Sequence, residues 1–278
     1  MRVPFAGLVP IVAVVAACSK SSTSGPPPRA SEVPLGGAAA GGDDDSSESS
    51  NESGDEGDDD GRGLEAQLRA RPPSPSAGHG GRSLLDEVQR ELASMRSSTY
   101  SHHTDVSEAE GRYDLDCSGL VDYALVRSAP QAFEDLRIAT VKRPLAKHFV
   151  AFITSIPRNG SKGRWHALTR AVELGPGDVL AWLKPADVAT KNTGHVMVVR
   201  GPAQRDAKRD DMIVVPIADS TAVPHGKSDS RKAARATGLG TGEVLLIVDP
   251  SGAPIAYRWS RGKKATEHQT TIAMGRIE

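Results

Sequence analysis

Cys117 is the residue whose type and position most favour covalent chemistry. Asp116 and Ser118 flank it with oxygens that can cap backbone N–H groups, and the apolar residues between Leu120 and Val126 predict a helix. A thiol in the first turn of a helix lies near unsatisfied N–H groups and the positive end of the helix dipole. Such a position can lower a cysteine pKa from about 8.5 to roughly 3.5–7.5. The competing interpretation is a small apolar core residue, a common role for a free cysteine.

A thiolate nucleophile needs a base within hydrogen-bonding distance and a third group that orients the base. Among the eight histidines, His195 is the one that opens an apolar strand, and Asp219 ends the apolar run of the next strand. An aspartate on an adjacent antiparallel strand can accept the second ring N–H and select the tautomer. The sequence therefore predicts a site made of Cys117, His195 and Asp219, with His225 and Ser220 as alternatives for the third group.

Metal and cofactor sites are not expected. Cys117 and His195 lack the close second ligand pair of a zinc site, and the adjacent histidines 102–103 point in different directions on any regular element. The acidic residues of segment 43–60 lack the spacing of an EF-hand calcium loop. The segment GLGTG (238–242) precedes a strand and has no lysine after its last glycine, so a turn is predicted there instead of a phosphate-binding loop.

The elements that position these side chains are predicted to be helices first and strands later. Helical patterns cover Ser83–Met95, the segment from Cys117 to near Pro130, and a helix that starts at Pro144. Strands are predicted at 178–183, 193–200, 212–220, 243–249, 254–260 and, as a possible sixth, 270–274. This order predicts an α+β fold in which the N-terminal helices, including the Cys helix, pack on an antiparallel sheet of five or six strands.

Residues 1–18 have the features of a secretory signal, with an apolar run at 5–17 that is too short to span a bilayer. The run ends in Val-Ala-Ala-Cys, which resembles the lipobox of bacterial lipoproteins. The resemblance implies cleavage before Cys18 and lipidation of that residue, and several acyl chains would anchor the protein stably to a membrane. Ser19 then implies the outer membrane if the source is Gram-negative. The alternative is an ordinary signal peptide, but lipidation of Cys18 would leave Cys117 as an unpaired thiol in an exported protein.

Residues 19–82 are predicted to form a disordered tether, and residues 83–278 the folded domain. Residues 1–62 carry 4 basic and 11 acidic residues, a net charge of −7, whereas the remainder carries 30 and 24, a net charge of +6. The tether has almost no large apolar residue, so it cannot bury enough surface to fold. About 64 flexible residues would average roughly 40–50 Å end to end. The mild positive charge of the folded domain lacks the clustered basic and aromatic residues of a nucleic-acid partner.

Three sequence blocks, followed by a polar residue in the next strand, occur in the order found in NlpC-type cell-wall peptidases. They are DCSGLV at 116–121, PGDVLAW at 176–182 and GHVMVV at 194–199. The chain resembles this papain-like family over about residues 100–220. The resemblance implies a Cys helix packed on an antiparallel sheet and a thiol peptidase activity.

The resemblance also implies roles for individual residues. Cys117 corresponds to the nucleophile, His195 to the base and Asp219 to the orienting group, while Tyr113 and the Cys117 backbone N–H would stabilise the oxyanion. The chain departs from the family pattern in three respects. Its third residue is acidic, where the family commonly has His, Asn or Gln. The separation of cysteine and histidine is 78 residues, and the chain extends past the family core at 243–278.

The principal hypothesis is a membrane-anchored cysteine hydrolase that cleaves amide bonds in peptidoglycan peptides. One alternative is an acyltransferase of the same fold that passes the thioester acyl group to an amine or a lipid. The other is a catalytically inactive binding lipoprotein. With only 11 aromatic residues, no aromatic-lined groove is assigned, and Trp165, Trp182 and Trp259 are expected to be core or groove-wall residues.

Overall fold

Helices precede the main sheet along the chain. The computed structural model describes residues 79–137, 143–158 and 160–278. The predicted signal sequence, Cys18 and the tether up to residue 78 lie outside the described residues. The described helices are α1 (His79–Ser94), α2 (Cys117–Ser128), α3 (Pro130–Leu136) and α4 (Ala146–Thr154). None of the helices in this part of the chain is long and apolar enough to cross a membrane.

The strands form a small ribbon and one large sheet. The ribbon pairs β1 (Asp105–Ser107) with β2 (Arg112–Asp114). The large sheet is antiparallel and contains β3 (Ser161–Lys162), β4 (Trp165–Ala167), β5 (Val179–Leu183), β6 (Gly194–Val199), β7 (Gln204–Arg205), β8 (Met212–Thr221), β9 (Gly238–Val248), β10 (Pro254–Arg258), β11 (Glu267–Gln269) and β12 (Ile272–Ile277). A short 3-10 helix, Ala171–Glu173, precedes β5. The architecture is therefore α+β, as predicted.

Within the described residues the large sheet has ten strands, and the expected number of five or six was too low. The four additional strands, β3, β4, β7 and β11, are only two or three residues long. A segment of that length is too short to display an alternating pattern, and its neighbours in space determine that it pairs. The predicted turn at 238–242 was also wrong, because these residues form the first half of β9.

The strands from β5 to β11 form most of an antiparallel meander, and the C-terminal strand β12 lies at the other side of β5. The strand order is β11-β10-β9-β8-β6-β5-β12-β4-β3, and β7 pairs with β8. The predicted hairpin of β9 and β10 is present. The last strand, β12, does not extend the meander but inserts between β5 and β4.

Apolar residues fill both faces of the sheet. On one face, α2 and α4 contact β6, and their side chains share a core cluster with Val196 and Val198. On the other face, Met197 and Val199 belong to a second cluster that includes Trp182. Alternation along β6 therefore divides its side chains between two cores.

Candidate active site at the start of helix α2 and strand β6

Cys117 is the first residue of α2 and a free thiol that is only 6% exposed. Asp116 is the N-cap residue, and one of its oxygens accepts a hydrogen bond of 2.7 Å from the Gly119 N–H. Its other oxygen accepts from the Arg143 guanidinium at 2.7 Å. Burial opposes ionisation of Asp116, but these bonds outweigh it and hold its pKa below the usual value. The cap thus fixes the helix start and places the thiol in the first turn, as predicted.

The Cys117 side chain is close enough to the His195 ring to influence its pKa. Burial lowers the pKa of His195, but the Cys117 thiolate and the bond to Asp219 outweigh burial and raise the pKa to about 10. The environment therefore favours the imidazolium form of His195. The two residues meet where α2 and β6 both begin, because His195 is the second residue of its strand and Cys117 the first of its helix.

Gly194 sets the backbone position of His195. It has a φ of +146°, and a Cβ at this residue would lie 1.9 Å from the Trp182 carbonyl oxygen. Trp182 pairs with His195 across β5 and β6, so the strands approach closely at this point. The pairing between β6 and β8 covers Val198–Ala218 and Val199–Ile217 and does not reach His195. The His195 side chain therefore emerges where the two strands are no longer paired.

Asp219 is fully buried and lies 2.6 Å from His195, measured from Oδ2 to Nε2. Since Nε2 is engaged in this way, Nδ1 is the nitrogen left for the thiol. The structure thus brings the three predicted residues together in one series. Ser220, an alternative third residue, donates its hydroxyl hydrogen to the Leu115 carbonyl oxygen instead.

His225, the other alternative, also binds Asp219. Its Nε2 lies 2.8 Å from the same Oδ2 atom, and its Nδ1 lies 3.2 Å from the Trp259 carbonyl oxygen. Both ring nitrogens of His225 therefore face acceptor oxygens. Burial by itself would raise the pKa of Asp219, but the charge of His225 and the bonds from both histidines hold it well below the usual value.

Arg231 completes the support of Asp219, and sequence reasoning missed it. The Nη2 atom of Arg231 donates to Asp219 Oδ1 at 2.9 Å and to Asp229 Oδ2 at 2.7 Å. Its Nη1 donates to the backbone carbonyl oxygens of Asp219 and Gly238. Asp229 in turn accepts from the His225 backbone N–H at 2.8 Å. The guanidinium, 3% exposed, therefore ties the loop after β8 to the carboxylate that orients His195.

The glycines of β9 make room for this network. A Cβ at Gly240 would lie 2.7 Å from Arg231 Nε, and a Cβ at Gly242 would lie 2.9 Å from the His225 Cβ. Both glycines lie on the same face of the strand, since they are two residues apart. Alternating glycines at the start of an apolar strand were the sequence signal for a close approach, because a glycine inside a strand often marks one.

The cluster His195, Asp219 and His225 offers ligand atoms that lie within 4.8 Å of one another. These atoms already form the histidine–aspartate hydrogen bonds, and the Arg231 guanidinium contacts the same carboxylate. A metal cation there would displace both bonds and lie beside a buried positive charge. The donor set therefore fits a proton-transfer network better than a metal centre.

Tyr113 lies away from the thiol. It is fully buried in a cluster with Leu115 and Leu120, and its hydroxyl is 2.7 Å from Ser94 Oγ on α1. Tyr100, from a loop that sequence analysis did not connect with the site, lines the thiol pocket, whereas Tyr113 is not among the residues that line it. Burial raises the pKa of Tyr100, and the charge of Cys117 contributes to the rise.

Two pockets flank the pair of Cys117 and His195. The thiol pocket has a volume of about 110 Å³ and is lined by Cys117 together with Tyr100, His102, Asp116, Ser118, Leu145, Ala146, Lys191, Asn192, Thr193 and Gly194. The aromatic pocket has a volume of about 330 Å³. It is lined by His195 together with Tyr100, Trp182, Lys184, Pro185, Val188, Thr190, Asn192, Gly194, Thr221, Ala222, Val223, Tyr257, Trp259 and His268. The two share Tyr100, Asn192 and Gly194, so they form the two sides of one cleft.

Comparison with known proteins gives little beyond the fold described above. No family model matches the chain, and no solved structure matches it. The chain is similar to "Uncharacterized protein R653" of Acanthamoeba polyphaga mimivirus, with 29% identity over 181 residues. The match covers 59% of this chain and 77% of that protein. Its name assigns no activity, and function therefore has to be inferred from the geometry of the site.

Proposed function

We propose that this protein is a papain-like cysteine hydrolase of the NlpC type that cleaves amide bonds. The observation that carries the proposal is the series from Asp219 through His195 to Cys117, with the thiol at the start of a helix and at the wall of a cleft. An activated thiol, a base and an orienting carboxylate are the groups that thiol-based acyl transfer needs.

Each residue then has a chemical role. The Cys117 thiolate attacks the amide carbonyl carbon, and the oxyanion that forms faces the Cys117 N–H and the Tyr100 hydroxyl. The tetrahedral intermediate collapses with cleavage of the C–N bond, and His195 donates its Nδ1 proton to the leaving nitrogen. Water then attacks the thioester, His195 accepts a proton from it, and the carboxylic acid and Cys117 thiolate are released.

Asp219 acts as a positioning residue in this scheme. Its bond to Nε2 leaves Nδ1 directed to the thiol and stabilises the imidazolium. His225 and Arg231 hold the carboxylate from its other sides, so it has little freedom to rotate.

The proposed substrates are peptides of the bacterial cell wall, and the proposed location is the cell envelope. Both rest on the sequence, through the lipobox-like residues before Cys18 and the resemblance to cell-wall peptidases. Lipidation of Cys18 would hold the domain near a membrane, at the end of a tether that averages roughly 40–50 Å end to end. Replacement of Cys18 by Ala tests the anchor, since the protein should then leave the membrane fraction and remain folded.

Acyl transfer to an amine is the second candidate function of the same site. The aromatic pocket lies beside His195, where an acceptor amine could attack the thioester as readily as water. Adding an amine to the reaction separates the two, because transfer yields a new amide and hydrolysis yields only the acid.

The deciding experiment compares the full chain with Cys117→Ala on purified peptidoglycan peptides, with products identified by mass spectrometry. Wild-type protein should release new amino and carboxyl ends, and Cys117→Ala should release none while melting at a similar temperature. His195→Asn should lose the same activity. Equal cleavage by Cys117→Ala would refute a thiol mechanism, and a thiol that reacts no faster than free cysteine would favour a binding lipoprotein.

A further inference from the structure

The two pockets of the cleft differ in which catalytic residue they contain. Cys117 lines the thiol pocket and not the aromatic pocket, whereas His195 lines the aromatic pocket and not the thiol pocket. The reacting bond of a substrate therefore has to lie between the pockets, with one part of the molecule in each.

The chemistry of amide cleavage decides which part lies where. The carbonyl carbon must reach the Cys117 sulfur, and its oxygen must face the N–H groups at the start of α2. The leaving nitrogen must lie within hydrogen-bonding distance of His195 when the C–N bond breaks. The acyl part is therefore directed to the thiol pocket and the amine part to the aromatic pocket.

We infer that the aromatic pocket is the leaving-group site and takes an uncharged, apolar amine portion with an aromatic or branched aliphatic side chain. This inference rests on the proposed amide hydrolysis and specifies its substrate class. It assigns the residues of the pocket wall to substrate selection on one side of the scissile bond.

Rigid aromatic rings form the wall of this pocket. Trp182 stacks on Tyr257 with ring centres 4.1 Å apart, and Trp259 stacks on His225 with ring centres 4.0 Å apart. The Trp259 indole N–H also donates to the Val223 carbonyl oxygen at 3.1 Å. Because the rings are held by these contacts before a ligand arrives, binding costs little side-chain ordering.

The rim of the pocket is apolar as well. Val223 is 59% exposed, and Val188 also lines the pocket. Two further ionisable side chains line the wall. His268 is paired with Asp187 at 2.8 Å, and the Lys184 ammonium donates to the Thr190 carbonyl oxygen at 3.3 Å. A volume of about 330 Å³ lies at the small end of ligand pockets, so one ring-sized group fits better than a long chain.

The thiol pocket has a different character. Its volume is about 110 Å³, and its wall carries Asp116, Lys191 and Asn192. Such a site suits a small polar acyl portion, and the contrast between the pockets predicts a preference on the amine side alone.

The first test varies the leaving amine and keeps the acyl group of a cleaved peptide constant. The full chain should hydrolyse substrates whose leaving amine is phenylalanine or leucine with kcat/KM values about tenfold or more above those of substrates whose leaving amine is glycine or glutamate. Val223→Asp should abolish this preference by lowering the kcat/KM values of the phenylalanine and leucine amides towards that of the glycine amide. Val126→Asp is the matched control, since Val126 is 50% exposed on α2 and lies outside both pockets.

The second test measures binding and needs no turnover. Cys117→Ala protein is titrated with phenylalaninamide, leucinamide and glycinamide, and the Trp259 indole signal is followed by NMR. The first two should shift the signal at lower concentration than glycinamide, and Val223→Asp should remove the difference.

The outcomes separate this inference from the proposed function. Absence of apolar binding, or a preference that follows the acyl group instead of the amine, would overturn the leaving-group assignment. Hydrolysis that survives in Cys117→Ala would refute the thiol mechanism, and the binding titration would still report whether the pocket takes apolar amines.

Discussion

Gly242 lies directly against His225: a Cβ at residue 242 would stand 2.9 Å from the His225 Cβ and 3.0 Å from Asp229 Oδ2. The strand β9 therefore supports a histidine that itself contacts the Asp219 carboxylate. A backbone position in the sheet thus controls the geometry of a side chain that bonds to the orienting group of the proposed site.

Gly242→Ala should displace His225 and weaken the network around Asp219. Overpacking at a buried site costs about 1–3 kcal/mol, so the melting temperature should fall and hydrolysis should decrease with it. Gly262→Ala is the control, because the nearest atom to its Cβ is Ser260 Oγ at 3.4 Å. Equal melting temperatures for the two variants would contradict the close approach.

The His195 imidazole should titrate far above an ordinary histidine. Its pKa is raised to about 10, chiefly by the Cys117 thiolate acting against burial. NMR titration of the wild type should show this value, and the pKa should be lower in Cys117→Ala. An unchanged value in Cys117→Ala would mean that the thiol does not pair with the ring.

The same pairing has a consequence for stability. A histidine with a raised pKa stabilises the fold fully below its unfolded-state pKa of about 6.5, and this contribution is lost as the pH rises through about 10. Urea denaturation between pH 6 and pH 10 should therefore show a steeper loss of unfolding free energy in the wild type than in Cys117→Ala.

Tyr100→Phe should lower activity and Tyr113→Phe should lower stability. Removal of the Tyr100 hydroxyl from the wall of the thiol pocket should lower kcat by about 10²-fold if it stabilises the oxyanion, with little change in stability. Removal of the Tyr113 hydroxyl breaks its bond to Ser94 and should cost about 0.5–1.5 kcal/mol of stability without affecting kcat. Loss of activity in Tyr113→Phe alone would restore the role that the family resemblance implied.

Glu91 should make the protein less stable at alkaline pH. It is fully buried on α1, neither carboxylate oxygen has a hydrogen-bond partner among the described residues, and burial raises its pKa to about 8. Because the folded state holds the proton more tightly, stability falls as the pH rises from about 4.5 to about 8 and then levels off. Glu91→Gln should therefore be more stable than the wild type at pH 9, and the gain should shrink at pH 5.

Glu87→Gln is the control on the same helix. Glu87 lies 2.7 Å from Arg90 and 2.6 Å from Arg127, and the hydrogen bond from Arg90 leads the interactions that lower its pKa. Replacing the Glu87 carboxylate should lower the free energy of unfolding at pH 9, whereas Glu91→Gln should raise it. Chemical denaturation at the two pH values measures both, and a gain for Glu87→Gln would contradict the assigned pairing.

Local patterns were sufficient for the elements that carry the three predicted site residues. The Asp116 cap and the apolar series after it identified the start of α2, and continuous apolar runs identified β6 and β8. Cap, helix and strand signals depend on residues that are neighbours in sequence, so they can be read without a fold. The sequence alone therefore determined where Cys117, His195 and Asp219 lie within their elements.

The tertiary structure decided what lies between and around those elements. Four features depend on contacts between residues distant in sequence. They are the two- and three-residue strands, the insertion of β12 beside β5, the place of Tyr100 in the thiol pocket, and the convergence of His225 and Arg231 on Asp219. Such contacts leave no periodic pattern, because packing in three dimensions selects them. For the same reason, only the fold revealed that two tryptophans, a tyrosine and a histidine form one wall beside His195.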